Sequence, residues 1–211
     1  MAKGHLGATS IAAVVLALVS TGWVGGADAG GYLETFDQGK DPASVFDGAL
    51  TLGERNDWTG TLEGGAYRLQ NTSRSGAIRY HYLLFSNPVE ALKVKVAGHY
   101  VGDRAAAGLI YGFDVSRKHY FAFLVTKNGR YLLLQRDDEG FNRIAAGSNE
   151  AIKTSGVNLL EVRFEGPSIH HFSNGERLVT TQTQRTIADA VGIVAVDIGN
   201  FIFDDFAIST Q

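Results

Sequence analysis

The fold is decided by residues 106–147, which read AAGLIYGFDVSRKHYFAFLVTKNGRYLLLQRDDEGFNRIAAG. Residues 107–115 and 119–126 form two short runs rich in Tyr, Phe, Leu and Val, the composition typical of strands. Asn128-Gly129 separates the second run from a third. This pair favours a two-residue hairpin turn because both of its positions require positive φ. The stretch therefore predicts consecutive antiparallel hairpins.

The same pattern extends in both directions along the chain. Residues 76–84 and 92–100 alternate between apolar and polar side chains, which predicts strands with one buried and one wetter face. Asn174-Gly175 marks a second two-residue hairpin turn. Further alternating segments are 159–165, 190–198 and 201–208. Many short strands separated by turns, with hardly a helical stretch among them, predict an all-β sandwich or barrel.

The apolar phase of these strands predicts the core. Side chains that alternate with polar neighbours point to the same, buried face of a strand. The residues expected in the core on this ground are Leu109, Tyr111, Phe121, Phe123, Val162, Phe164, Ile193 and Phe206.

Three further segments add to residues 106–147 a resemblance that covers residues 30–211. Residues 158–179 (NLLEVRFEGPSIHHFSNGERLV) combine a strand with a strand that holds an Asn-Gly turn, and VGIVAV…FIFDDFAI ends the chain with an Asp before an aromatic residue. YLETFDQG, residues 32–39, supplies the opening strand. Together they resemble the concanavalin A-like lectin/glucanase superfamily, and laminin-G-like and 3-keto-disaccharide hydrolase-like domains in particular. The resemblance implies a two-sheet antiparallel jelly-roll sandwich.

The N-terminus is predicted to be an export signal. Residues 1–10 carry the cation Lys3, residues 11–24 are almost wholly apolar, and Ala27-Asp28-Ala29 offers small residues at a cleavage position. We therefore expect a signal peptide over 1–29 and a single domain over 30–211, which would be secreted, periplasmic or on the cell surface and would not remain in the membrane after cleavage. An uncleaved N-terminal anchor is the alternative.

Composition narrows the classes of partner. The chain has 26 glycines, 3 prolines and no cysteine, so disulfides cannot stabilise it. Its net charge is −3 and its Lys and Arg residues form no block, which argues against binding to nucleic acid or to an anionic membrane surface.

Polar side chains on the wetter strand faces are the candidate ligand-binding residues. Cations, imidazoles and a carboxylate near aromatic rings suit a polyhydroxylated ligand, because rings stack on sugars while charged groups bond to hydroxyls. If their strands share one sheet, these residues lie on one face. A solvated sheet face without a ligand would show the same pattern. The set is Arg79, His81, His99, Asp114 and Arg163, with Trp58 and Asp138 marking the alternative loop sites.

No catalytic motif stands out. Glucanases of the superfamily carry a Glu-x-Asp-x-Glu strand, and this sequence has no Glu followed two residues later by Asp, nor a nucleophile elbow. Glu161 and Glu165 lie about 13 Å apart along a strand, too far for a retaining pair, and Glu161 is expected to pair with Arg163 instead. The sequence thus favours an exported, non-catalytic binding or adhesion module, with carbohydrate or a cell-surface partner as ligand. A glycoside-active hydrolase and a structural subunit of an extracellular assembly are the alternatives.

The resemblance also implies a structural calcium ion, since many members of the superfamily hold one near a sheet edge. Ca²⁺ takes six to eight oxygen ligands. Asp37 and Asp205 are the candidate ligands, provided that the first and last strands are neighbours. In the alternative without metal, Asp205 accepts backbone N–H bonds and Asp204 is solvated.

Overall fold

The computed structural model describes residues 31–37, 50–85, 88–183 and 189–210, and these residues form fifteen strands and no helix. The first sheet has nine strands: β1(Gly31–Glu34), β2(Gly53–Arg55), β3(Trp58–Leu62), β4(Tyr67–Asn71), β6(Val89–Tyr100), β11(Asn158–Glu165), β12(Ser168–Ser173), β13(Glu176–Gln182) and β15(Gly199–Thr210). The second has six: β5(Ile78–Phe85), β7(Ala106–Asp114), β8(His119–Thr126), β9(Arg130–Asp137), β10(Gly140–Ser148) and β14(Asp189–Val196). The predicted signal peptide lies outside the described residues. Within them, no helix is long and apolar enough to cross a membrane.

Every strand pair is antiparallel, and many of the pairs join distant parts of the chain. The nine-stranded sheet runs β13-β12-β11-β6-β15-β4-β3-β2, with β1 also beside β15, and the six-stranded sheet runs β10-β9-β8-β7-β14-β5. The first and last strands are therefore neighbours, which was the condition set for Asp37 and Asp205 to lie close together. The predicted all-β, two-sheet antiparallel sandwich is confirmed.

The core lies between the two sheets and follows the predicted phase. The residues predicted to be buried and found fully buried are Leu109, Tyr111, Phe123, Val162, Ile193 and Phe206. Phe121 and Phe164 are half-buried and pack against the same cluster. A second apolar cluster, which the sequence did not predict, covers the outer face of the six-stranded sheet.

The two Asn-Gly pairs form different turns. Asn174 and Gly175 have φ of 52° and 87° and directly join β12 to β13, so this is the predicted two-residue hairpin. In the other pair only Gly129 has positive φ, 67°, and the loop between β8 and β9 is Lys127-Asn128-Gly129. The prediction of a two-residue turn at Asn128-Gly129 is wrong, because the strands end one residue earlier and a three-residue loop places only its last residue in the left-handed region.

Gly175 allows a test of backbone strain alone. A Cβ placed there would meet no atom within 4 Å, so a substitution changes only the cost of positive φ. We expect Gly175→Val to lower the free energy of unfolding by about 1–2 kcal/mol, because β-branched residues are strained in the left-handed region. Gly175→Asn should cost much less, since Asn tolerates that region. Urea unfolding of both variants measures the difference, and equal stabilities would contradict the turn assignment.

Candidate functional site

The structure does not bring the predicted ligand-binding residues together. Arg79 and His81 lie on β5, at an edge of the six-stranded sheet, and point between the sheets rather than outward. Nε2 of the buried His81 lies 3.0 Å from the hydroxyl of Tyr67 on β4, and Arg79 donates to the backbone carbonyl of Arg55 at 2.8 Å. The assumption that these side chains occupy a wet face is wrong, because the outer face of β5 carries the apolar residues of its alternating pattern.

The other three residues lie elsewhere on the sandwich. Asp114 is exposed at the turn between β7 and β8, where it accepts hydrogen bonds from the Ser116 hydroxyl at 2.6 Å and from the amides of Ser116 and Arg117. These bonds, the Ser116 hydroxyl first, lower the pKa of Asp114. His99 and Arg163 are exposed on the nine-stranded sheet, and the Arg163 guanidinium lies over the ring of Phe172. The five residues thus belong to two sheets and share no common face.

Glu161 and Arg163 form the expected ion pair. The Arg163 Nε donates to the buried Glu161 carboxylate at 2.7 Å, and Lys93 approaches the same carboxylate at 3.3 Å. Two cations, Lys93 and Arg163, already neutralise Glu161. The charged side chains on this part of the nine-stranded sheet therefore pair with one another.

The candidate calcium ligands Asp37 and Asp205 lie in a part of the chain that also holds Asp204 and Lys95. Asp37 follows β1, and its negative charge contributes to the raised pKa of Asp204, whose largest cause is burial. However, Lys95 forms an ion pair with Asp205 and lies 3.8 Å from Asp204, so a cation is already present in this part of the chain. The expected roles are also exchanged, because Asp204 accepts the backbone N–H of Asp205 at 2.8 Å. No group of three or more His, Asp or Glu side chains among the described residues is arranged to hold a metal ion. Residues 38–49, which follow Asp37, lie outside the described residues, so calcium binding by Asp37 and Asp205 stays a prediction.

A cleft with a volume of about 500 Å³ lies on the outer face of the six-stranded sheet. Leu124, Leu132, Leu134 and Val194 are among the apolar residues that line it, and they come from three strands of this sheet, β8, β9 and β14. A cleft of this size with an apolar lining is the usual form of a small-ligand site.

Aromatic rings extend from the cleft across the sheet. Tyr82 and Phe113 lie 4.7 Å apart between ring centroids, Phe113 and Tyr120 5.5 Å apart, and Tyr120 and Phe141 6.2 Å apart. Tyr80 contacts three of these rings. Phe113 reaches the outer face through a bulge in β7 between Tyr111 and Asp114, which includes Gly112 at a φ of 59°. We call Tyr80, Tyr82, Phe113, Tyr120 and Phe141 the aromatic row.

The hydroxyl of Tyr120 is the polar group of the cleft floor. Tyr120 is 2% exposed, lines the cleft, and its hydroxyl has no hydrogen-bond partner among the described residues. Burial raises the pKa of the Tyr120 hydroxyl, and the nearby positive charge of Arg136 offsets only part of this rise, so the hydroxyl stays protonated at neutral pH. Arg136 makes no hydrogen bond of good geometry with it. A buried hydroxyl without a partner is costly, and a bound ligand would relieve that cost.

One part of the cleft rim is charged. Arg104, Arg130 and Arg143 line it together with Asp103. Asp103 is fully exposed and lies 3.9 Å from the ammonium of Lys127.

This cleft was not among the predicted sites, although the sequence carries a signal for it. YLLL at 131–134 and FAFLV at 121–125 are continuous apolar runs, and such runs are typical of strands that are apolar on both faces. Apolar side chains on the outer face of β8 and β9 follow from that pattern.

Comparisons with known proteins bear on the fold. No protein-family model matches the sequence, and no curated protein sequence matches it. Among solved structures, a protein of unknown function with galectin-like fold from Bacillus subtilis is similar at 10% identity and a TM-score of 0.62, covering 85% of this chain and 96% of that one. The laminarinase catalytic domain of Thermotoga maritima is similar at 8% identity and a TM-score of 0.62, over 87% of this chain and 99% of its own. A Bacillus licheniformis beta-glucanase is similar at 11% identity and a TM-score of 0.61, covering 86% of this chain and 98% of that one. The chain therefore has the concanavalin A-like jelly-roll fold.

Proposed function

We propose that this jelly-roll domain binds carbohydrate in the cleft of the six-stranded sheet, as a non-catalytic module. The observation that carries the proposal is the aromatic row beside an apolar cleft whose buried hydroxyl has no hydrogen-bond partner among the described residues.

The aromatic row suits the apolar faces of sugar rings. Aromatic rings offer rigid, flat contact area, and in Tyr they add a polar end. Phe141 is the most accessible ring of the row in the cleft lining, at 44% exposure, and it lies at the rim. We therefore assign Phe141 as the stacking platform.

Polar groups around the platform can orient a polyhydroxylated ligand. The Tyr120 hydroxyl lies in the floor, and Thr126, Asn128 and Arg130 line one part of the cleft. Few, well-placed polar groups in an apolar pocket are what fixes a ligand's orientation. A sugar hydroxyl could both donate to and accept from the Tyr120 oxygen.

The similar solved structures support a carbohydrate ligand without deciding between binding and hydrolysis. Two of them are a laminarinase and a beta-glucanase. Glycoside hydrolysis generally requires two carboxyl groups that flank the scissile bond. Among the described residues that line the cleft, the single carboxylate is Asp103, which is near Lys127. This composition favours binding over hydrolysis, and export would place the domain where extracellular glycans occur.

The test is a glycan array with the purified protein, with and without EDTA, followed by calorimetry on the best ligand. We expect Phe141→Ala to weaken binding about tenfold, because a stacked ring contributes about 1–1.5 kcal/mol. Tyr120→Phe should weaken binding as well, while leaving stability unchanged or higher, since it removes an unsatisfied buried group.

The matched control is Phe172→Ala, an aromatic residue on the nine-stranded sheet that contacts Arg163. It should leave the affinity unchanged. Affinity that survives both cleft substitutions would place the site elsewhere. Release of reducing ends from the ligand would instead favour the hydrolase.

A further inference from the structure

We infer that the preferred ligand of the cleft is an anionic glycan, one whose sugar rings bear carboxylate or sulfate groups. This inference rests on the proposed function and adds the class of ligand to it. It comes from the charges at the cleft rim.

Three arginines line the cleft without a carboxylate partner. Arg104, Arg130 and Arg143 are all exposed, and none forms an ion pair with another described residue. Some of the other described arginines are paired with carboxylates: Arg68 lies 3.4 Å from Glu63, Arg74 3.6 Å from Asp57, and Arg163 2.7 Å from Glu161. Unpaired guanidinium groups are thus brought together around the cleft.

The remaining rim charges do not neutralise them. Asp103 faces Lys127 at 3.9 Å, and Lys127 also donates to the backbone carbonyl of Val101. The lining of the cleft therefore carries three arginines and one carboxylate, and that carboxylate lies near a lysine, whereas the whole chain has a net charge of −3. A local positive potential on an acidic protein steers anions to this surface.

The arginines at the rim and the apolar floor of the cleft together indicate the chemical class of the ligand. A guanidinium group pairs in bidentate fashion with a carboxylate or a sulfur or phosphorus oxyanion, and the apolar floor takes a ring face. The Tyr120 hydroxyl, buried in the lining, adds a donor for an oxygen of the ligand. An anionic glycan offers ring faces, hydroxyls and repeated negative groups at once. Single-stranded nucleic acid also combines rings with anions, but binding it generally uses an extended basic groove along the backbone, which an acidic chain with one cationic rim does not favour.

The experiment compares four kinds of probe by calorimetry. These are neutral laminari-oligosaccharide, oligogalacturonate, a sulfated dextran oligosaccharide and an oligo-dT strand. We expect oligogalacturonate or the sulfated oligosaccharide to bind at least tenfold more tightly than the neutral one, and its affinity to fall as NaCl is raised. Comparing the affinities of the carboxylated and the sulfated probe shows which anion the rim arginines prefer. Tightest binding to oligo-dT would overturn the inference.

Substitutions of the rim arginines measure the contribution of their charge separately from that of the stacking platform Phe141. The double variant Arg130→Gln/Arg143→Gln should lose about tenfold or more in affinity for the anionic probe and little for the neutral one, because charge-assisted hydrogen bonds contribute more than neutral ones. Arg177→Gln, an exposed arginine on β13, is the control and should change neither.

The two proposals fail in different ways. If neutral and anionic probes bind equally, with Phe141→Ala weakening both and the arginine variant neither, the anionic preference is wrong and carbohydrate binding stands. If no glycan binds, or Phe141→Ala has no effect on those that do, the proposed function itself is overturned.

Discussion

Replacing Phe123 by alanine is expected to lower the free energy of unfolding by about 3–5 kcal/mol, the usual cost of deleting a buried phenyl ring. Phe123 lies on the inner face of β8, is 0% exposed and packs in the cluster between the sheets. Its ring meets the imidazole of His171 at 5.2 Å between centroids in an edge-to-face arrangement. The cavity would thus open where β8 of one sheet meets β12 of the other. Urea unfolding at neutral pH measures the loss.

Phe141→Ala is the matched control for this substitution. It removes the same ring from the same sheet, but from the exposed outer face, so little burial is lost. We expect its cost to be well below half that of Phe123→Ala. Similar losses for the two variants would mean that the inner and outer faces of the six-stranded sheet are exchanged.

Local pattern was sufficient to predict the strands and one face of most of them. Alternation in β8 places Phe121 and Phe123 inward, and the structure confirms this phase. The Asn174-Gly175 turn was predictable as well, because its backbone requirement is a property of two adjacent residues. These features depend on neighbours in the sequence alone.

The face of β5 could not be predicted in the same way. Alternation separates Ile78, Tyr80 and Tyr82 from Arg79 and His81, and the ordinary rule places the apolar set inward. The structure does the opposite, because the outer face of this sheet has an apolar cluster of its own. His81 can then be buried between the sheets, since its imidazole hydrogen-bonds to the Tyr67 hydroxyl. Predicting the burial of His81 would require knowing that β4, which carries Tyr67, packs opposite β5 in the other sheet.

The predicted set of ligand-binding residues was wrong for a related reason. The predicted binding set assumed that β5, β6, β7 and β11 share one sheet, but β6 and β11 pair in the nine-stranded sheet while β5 and β7 flank β14 in the other. Sheet membership is set by pairings between strands far apart in the chain. The cleft likewise combines β8 and β9 with β14. The hairpin pattern predicts that β8 and β9 are neighbours, but no local pattern places β14 in the same sheet, beside β7.

His171 should make the protein sensitive to acid. It is fully buried on β12, and its Nε2 lies 2.8 Å from the hydroxyl of Tyr111, while Nδ1 lies 3.3 Å from the backbone carbonyl of Val179. The carbonyl can only accept, so Nδ1 carries the hydrogen and the Tyr111 hydroxyl donates to Nε2. The neutral imidazole therefore has both nitrogens bonded. Burial, with a smaller contribution from His170, lowers the pKa of His171 to about 4.

The direction of the pH effect follows from the two pKa values of His171. In the unfolded chain its pKa is about 6.5, so below that pH the unfolded state binds a proton that the folded state does not. The contribution of His171 to the free energy of unfolding is then constant above about pH 6.5 and falls as the pH drops towards 4, by roughly 3 kcal/mol in all. The His171→Gln variant has an amide oxygen that can accept from the Tyr111 hydroxyl, and its side chain does not titrate. The stability difference between the parent and this variant, measured by urea unfolding from about pH 7.5 to 4, should shift in favour of the variant as the pH falls. A difference that stays constant over this range would show that the imidazole is not buried in its neutral form.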